Sequence, residues 1–497
     1  MTDTATPMPR PSRRRKLRIF LCFFVLLIVA LVLGHYSWSR HGANAIQAQA
    51  DAYRLLGQPV TLEDFQDKPI PDDQNAAIDL RAAAAAITLT DEQKDFLNKL
   101  DQPYLPLTDQ QLAILRAIVQ SNPNALRLAR VARGKPGLAW NLKLQSPVIN
   151  RNLTDLTPQR NLADLLVMAA ISSHLSADDQ AALEAIEDLL FVGCALQKQP
   201  SMLAYLVGDG IISRATDTII EIAHDLRIGS APAPAVAADR QRVGALIRRL
   251  LDEDAARQSF IFAMYSERMM LLDATRCLAA GQTNIAMMFP SPSAQGPSAT
   301  ALAVTYTVLR PLLLRDGIRV LRVPTQIADA VAAPTWPAAK SLIPDAANSQ
   351  RFSTPHIGVG MLLASLDRVL ERHYRLAADR RAAATVLAIR LYAIDHGNKL
   401  PPKLADLVPQ YLPAVPQDPL APDGSPFRYL PRDKDPILYS VGDNGVDDQG
   451  GSASSSKHVS NSRWTQLDAT YSLIPQPKPH EDPAEQNLLP ESRPSPP

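Results

Sequence analysis

The feature that most constrains the fold of this 497-residue chain is an apolar stretch near its start. Residues 19–34 hold no charged side chain, and the basic run from Arg13 to Arg18 directly precedes them. Counted through Trp38, the stretch reaches the roughly 20 residues that a helix needs to cross a bilayer. The sequence therefore predicts a single transmembrane helix over residues 19–38.

The residues on either side of this stretch predict its orientation. Lysine and arginine are retained on the cytoplasmic side of a membrane, and tyrosine and tryptophan favour the interface, as Tyr36 and Trp38 would here. Residues 1–18 are thus expected to form a cytoplasmic tail, and everything after Trp38 to be extracytoplasmic. The alternative is a cleavable signal peptide, but its small-residue cleavage site would be late, at Gly42–Ala45. An uncleaved signal-anchor is favoured.

Composition favours a helical protein. Hydrophobic residues make up 46% of the chain but aromatic ones only 5%, and the alanine and leucine that supply most of the rest are strong helix formers. The 42 prolines outnumber the 21 glycines, which indicates helices separated by proline-rich connections. A net charge of +1 gives no basic signature of a nucleic-acid partner.

The body of the protein, residues 39–354, is predicted to be a multi-helix array of helix pairs. Apolar residues recur at helical spacing over residues 161–174, 179–196 and 201–226, and the short links between them favour antiparallel neighbours. No clean repeat period is present. Proline-rich stretches predict breaks near 230–236 and 288–299.

Local signals predict several helix boundaries in this body. Thr108 and Gln111 have the spacing of a capping box. Asp72 and Asp73 are expected to cap the helix that begins at Ala76. Pro311 lies in a helical stretch and is expected to kink or end it, because proline lacks the backbone donor.

The last part of the chain carries an ordered set of short motifs. A helix-like segment is followed by turn residues, then by short β-like segments, and then by an acidic, glycine-rich loop over residues 439–451. The motifs are, in order, Tyr392…His396-Gly-Asn-Lys-Leu-Pro401, Asp418-Pro419, Gly424-Ser-Pro-Phe-Arg-Tyr429, Tyr439-Ser-Val-Gly-Asp-Asn-Gly445 and Asp468.

This order, over residues 380–474, resembles the C-terminal module of the major pseudopilins of type II secretion. The resemblance implies a bacterial protein with a long helix and a small α+β module over residues 355–474, and a cytoplasmic (inner) membrane location. It also implies calcium binding in the last loop, with Asp443, Asp447, Asp448 and Asp468 as metal ligands. The family's leader is absent, and more than three hundred residues separate the membrane segment from the module, so assembly into a fibre is not expected.

The chemistry of the loop agrees with calcium, which prefers several carboxylate and carbonyl oxygens in flexible geometry. The spacing does not fit an EF-hand. The alternative is a solvated turn between two strands. Residues 475–497 are rich in proline, glutamate and serine and are expected to be a disordered tail.

No catalytic motif was found: the chain has no Walker loop, nucleophile elbow or dinucleotide fingerprint. Glu221 and His224 have the spacing of half a di-iron site but lack a second half. Cys194 and Cys277 are expected to be buried thiols rather than a disulfide. The sequence therefore predicts no enzyme but a membrane-anchored scaffold or protein-interaction role at the cell envelope, with envelope partners. An envelope hydrolase and a secretion-associated component are the alternatives.

Overall fold

A computed structural model describes residues 13–99, 105–148, 153–281, 299–343, 366–432, 434–451 and 462–474. The described chain is 65% helical, with 13 α-helices and a small sheet of three strands near the C-terminus. The mainly helical fold class is thereby confirmed. The helices are α1 Arg13–Leu55, α2 Ala76–Ala85, α3 Asp91–Lys99, α4 Asp109–Ser121, α5 Pro123–Arg133, α6 Leu156–Leu175, α7 Asp179–Leu196, α8 Met202–Ile222, α9 Arg240–Leu250, α10 Glu253–Ala279, α11 Ala299–Ala330, α12 Trp336–Leu342 and α13 Leu366–Asp395. The strands are β1 Arg428–Leu430, β2 Ile437–Ser440 and β3 Ala469–Ser472.

Helix α1 is the one described helix that is long and apolar enough to cross a membrane. Its apolar first half is exposed along its length, whereas positions from Ser39 onward are buried at intervals of three or four residues. These buried positions include Gly42, Ile46 and Ala50, which pack against α11 and α10. The predicted boundary after Trp38 therefore lies inside one continuous helix.

Helices α6, α7 and α8 pack consecutively on one another, as the sequence predicts. Helices α7 and α8 cross closely because both carry glycine at the crossing. A Cβ atom at Gly208 would lie 2.5 Å from the carbonyl oxygen of Gly193. The sequence Gly208-Asp-Gly210 therefore marks close helix packing, and the helix is not broken there.

The predicted capping box is confirmed at the start of α4. The backbone N–H of Gln111 donates to Thr108 Oγ1 at 3.2 Å, and the Thr108 N–H donates to Gln111 Oε1 at 2.9 Å. The predicted aspartate cap of α2 is wrong. Asp72 and Asp73 belong to a short 3₁₀ turn, and Asn75 caps the helix instead, accepting from the N–H of Ala77 at 3.1 Å.

Helices α10 and α11 form a second pair, on which α1 packs. Of the two effects expected of Pro311, ending the helix is wrong, because α11 continues through both Pro311 and Pro324, and a kink stays a prediction. A proline inside a helix costs about 3 kcal/mol through the lost hydrogen bond and a steric clash. Packing of the buried Pro311, Leu313 and Leu314 against the body offsets that cost.

Helix α13 is the central helix of the molecule. It packs against α8 and α9 as well as against strand β2, and most of its side chains are buried. The strands form an antiparallel sheet in the order β1-β2-β3, with Leu438 paired to both Tyr429 and Tyr471. Leu438 and Tyr471 belong to the same hydrophobic core as α6 to α9.

The structure therefore places the C-terminal module on the helical array rather than apart from it. Residues 230–236 form a mostly exposed loop beside the start of α7, where the Val236 N–H donates to the carbonyl of Ala177 at 2.8 Å. Most of the predicted break at 288–299, the boundary at 354 and the tails 1–12 and 475–497 lie outside the described residues.

Candidate functional site

The loop over residues 439–451 joins β2 to the segment that precedes β3. Gly442, Gly445 and Gly450 all have positive φ, between 66° and 74°, which side chains rarely adopt. A Cβ atom at Gly442 would also lie 2.6 Å from the carbonyl oxygen of Leu467. The glycines of the motif are therefore needed to fold the loop tightly against the chain near β3.

The four acids predicted as calcium ligands each have protein partners. Asp443 forms a two-pronged ion pair with Arg375 of α13, with nitrogen–oxygen distances of 2.9 and 2.5 Å. Asp447 accepts from the hydroxyl of Tyr439 at 3.1 Å and pairs with Arg428 at 3.3 Å.

Asp448 and Asp468 accept hydrogen bonds from residues of the loop. Asp448 Oδ2 accepts from the Asn444 side-chain amide at 2.9 Å. Asp468 is fully buried and accepts from the N–H groups of Asp448 at 3.3 Å and Gly450 at 2.8 Å. Among the residues that the structure describes, no group of three or more acidic, histidine or cysteine side chains is arranged to hold a metal ion. Calcium binding at this loop stays a prediction.

A second site is a cleft of about 950 Å³ between α8, α10 and α13. This volume is in the range of small-molecule sites, which are mostly apolar with a few polar groups. Apolar side chains such as Met202, Met270 and Trp464 line it, together with the acids Asp209 and Glu267. Its rim adjoins the segments 149–152, 344–365 and 452–461, which are outside the described residues.

Glu267 is the unusual group in this cleft. Its side chain is 7% exposed, and no described residue forms a hydrogen bond or ion pair with its carboxylate. Burial raises the pKa of Glu267 to about 7, because the charged form loses its hydration without gaining a partner. A carboxyl group that titrates near neutral pH can hold or release a proton under ordinary conditions.

The two other buried acids that line the cleft have arginine partners, but Asp209 Oδ1 is buried without a hydrogen-bond partner among the described residues. Arg372 donates to Asp209 Oδ2 at 2.8 Å, and Arg463 and Tyr471 donate to Asp379 Oδ1 at 2.9 and 3.0 Å. Burial nevertheless raises the pKa of both Asp209 and Asp379 to about 6, against the opposing effect of the arginines. The cleft therefore collects three carboxyl groups with raised pKa on three separate helices.

A buried histidine cluster lies where α6, α7 and the end of α8 meet. His174 Nδ1 lies 2.6 Å from Asp179 and its Nε2 lies 3.0 Å from Asp225, while Arg227 donates to Asp179 at 2.6 Å. Burial lowers the pKa of His174, but the two carboxylates more than offset this and raise it to about 9. The charged imidazole thus ties three segments together, which is a structural role.

Glu221 and His224, which have the spacing of half a di-iron site, also have structural partners, as do the neighbouring acids Glu187 and Asp188. Glu221 accepts from the backbone N–H of Leu105, and His224 lies 3.4 Å from Asp225. Glu187 and Asp188 both pair with Arg133, at 2.5 Å. These pairs hold α5, α7 and α8 in place.

The cysteines do not form a disulfide: Cys194 and Cys277 are both free. Cys277 is buried as expected, with its sulfur 3.1 Å from Ser146 Oγ. The expected burial of Cys194 is wrong, because its side chain faces solvent on the exposed side of α7.

The sequence did not indicate the cleft. Asp209, Glu267 and Asp379 are separated by more than fifty residues each, and each occupies an ordinary helical position. In comparisons with protein-family models, curated proteins and solved structures, no match to this chain was found.

Proposed function

We propose that this protein is a single-pass, membrane-anchored scaffold of the bacterial cell envelope, whose extracytoplasmic body binds other envelope proteins. The observation that carries the proposal is the uninterrupted course of α1, from the exposed apolar segment into the packed body. A flexible tether would suffice to keep an enzyme near a membrane. A continuous helix also fixes the height and orientation of the body, as a scaffold requires.

Arg268 of α10 strengthens the junction between anchor and body. Its guanidinium is fully buried and lies 4.6 Å from the ring centre of Tyr53 on α1. It donates to Gln58 Oε1 at 2.9 Å, to the Pro59 carbonyl at 2.7 Å and to Thr325 Oγ1 of α11 at 2.7 Å. Through these bonds one side chain joins three segments, although burial lowers the pKa of Arg268 and its Nε has no hydrogen-bond partner among the described residues.

The proposal is tested by loosening the junction without removing the anchor. Seven glycine and serine residues inserted between Trp38 and Ser39 keep the span and the body but remove the continuous helix. A photoreactive residue on the body surface, at Leu342, then reports protein neighbours in intact cells by cross-linking and mass spectrometry. We expect a discrete set of cross-linked envelope proteins in the unmodified chain and a changed or lost set after the insertion.

A matched insertion of seven alanines keeps the junction helical and controls for the added length. Adducts that are the same in all three chains, or that are absent from the unmodified chain, would contradict the scaffold proposal.

The cleft favours a second candidate, an envelope hydrolase in which Glu267 acts as general acid or base. Its support is a buried carboxyl group with a pKa near neutrality. Glu267→Gln would abolish turnover of the substrate and leave the cross-linking pattern unchanged. A type II secretion role is supported by the resemblance of residues 380–474 alone.

A further inference from the structure

In α11, none of the side chains that the structure describes before Pro311 is buried. Val304 and Val308 in this segment are 59% and 65% exposed. The sequence holds no charged residue between Arg276 and Arg310. An apolar helix surface without charges, presented to water, is costly, so something other than water is expected to cover it.

The contacts between α11 and α1 define the level of this segment relative to the anchor. Gly42 packs against Leu314, and Ile46 packs against Gly317. Farther along, Arg268 joins Tyr53 of α1 to Thr325 of α11. The two helices are parallel. In all three places the residue number on α11 exceeds that of its neighbour on α1 by about 272.

All three contacts lie after Pro311, and α11 stays helical through that residue, so a rise of about 1.5 Å per residue extends the offset to the residues before it. It places Arg310 level with Trp38, at the end of the apolar span. It places residues 299–309 level with residues 27–37, inside that span. A segment of 11 residues is about 16 Å long, which is about half the thickness of a bilayer's hydrocarbon core.

We propose that residues 299–309 of α11 are embedded in the outer leaflet beside the anchor, with lipid acyl chains covering Val304 and Val308. Arg310 then lies at the headgroup level together with Trp38 and the exposed Arg40, where arginine and tryptophan are favoured. A helix is compatible with this environment, since its backbone groups bond within the segment. The inference rests on the proposed membrane anchoring. It adds a second membrane-embedded element, which would fix the body's rotation about the anchor axis.

The test uses single cysteines labelled with an environment-sensitive fluorophore, in full-length protein reconstituted into lipid vesicles. The three native cysteines are replaced by alanine. Val304→Cys is the test position, and Val32→Cys is the matched control at the same level on the anchor. Leu342→Cys, 61% exposed on α12, is the control for water exposure. Quenching is measured with iodide in the water and with spin-labelled lipids in the bilayer.

We expect the Val304 probe to be quenched by lipid to the same extent as the Val32 probe and to lose the iodide quenching of the Leu342 probe. Iodide quenching at Val304 with lipid quenching at Val32 would overturn the inference while leaving the anchor in place. Protection from both quenchers at Val304 would also overturn it, because protein, such as a second copy of the chain, would then cover the segment. Iodide quenching at Val32 would refute the anchor itself, and the embedded segment with it.

Discussion

Replacing Glu267 by glutamine should change stability in a way that depends on pH. Burial raises the pKa of Glu267 from the usual 4.5 to about 7. A carboxyl group with a raised pKa in the folded state binds its proton more tightly than in the unfolded state. Below pH 4.5 the buried carboxyl group therefore does not lower the free energy of unfolding. Between pH 4.5 and pH 7 it lowers that free energy progressively, and above pH 7 by a constant amount.

The size of this cost follows from the shift. A change of about 2.5 pKa units corresponds to about 3 kcal/mol, at about 1.4 kcal/mol per unit. Glu267→Gln keeps the shape and removes the titration. The buried amide has its own penalty of about 1–3 kcal/mol, but this does not change with pH. The effect of the substitution on the free energy of unfolding should therefore be about 3 kcal/mol more favourable at pH 8 than at pH 4.5.

The measurement is urea unfolding of the full-length protein in detergent micelles, followed by tryptophan fluorescence at both pH values. Glu187 supplies a matched control, since it is 9% exposed but pairs with Arg133 at 2.5 Å and Arg242 at 3.2 Å. Glu187→Gln should destabilise the protein at pH 8, because it leaves the half-buried Arg133 and Arg242 with one carboxylate partner fewer. If Glu267→Gln has the same effect at both pH values, Glu267 is hydrated or paired in solution and the reasoning is refuted.

Three further changes have defined outcomes. The raised pKa of His174 stabilises the folded state below pH 6.5, and this contribution of about 3 kcal/mol is lost as the pH rises from 6.5 through about 9. His174→Gln should remove this pH-dependent loss of stability. Urea unfolding of both proteins at pH 7 and pH 9.5 checks it. Gly208→Ala should destabilise by about 1–3 kcal/mol in thermal unfolding, because its Cβ would lie 2.5 Å from the Gly193 oxygen, whereas Gly210→Ala meets only an arginine side-chain end at 3.4 Å and should be tolerated. If the 439–451 loop binds calcium, millimolar calcium should raise the melting temperature of the full chain but not that of Asp448→Asn, and an equal rise in both would place the ion elsewhere.

The parts of the fold that the sequence predicts well are those set by neighbours along the chain. The Thr108–Gln111 capping box needs only a spacing of three residues, and helices α6 and α7 need only a regular apolar period. Pro311 shows the limit of such reasoning. Its local cost is real, but packing of α11 against α1 and α10 outweighs it, and that packing depends on residues far away in sequence.

The cleft and the anchor junction show why sites are harder to predict than helices. Glu267 looks in sequence like any polar position on a helix, and only the fold shows that it is buried without a partner. The continuation of α1 into the body is better indicated by the sequence. Gly42, Ile46 and Ala50 continue a helical spacing of small and apolar residues past Trp38, which indicates that α1 does not end at Trp38.

Helix α10 connects the cleft to the second half of α1. Glu267 lines the cleft, and the next residue, Arg268, is bonded to the segment after α1 and to α11. A movement of α10 relative to α1 and α11 on binding a ligand in the cleft would break those bonds. If moving α10 increases the binding free energy of a ligand by less than the Arg268 hydrogen bonds contribute, the junction stays intact. The direction in which the cleft opens is therefore coupled to the orientation of α1.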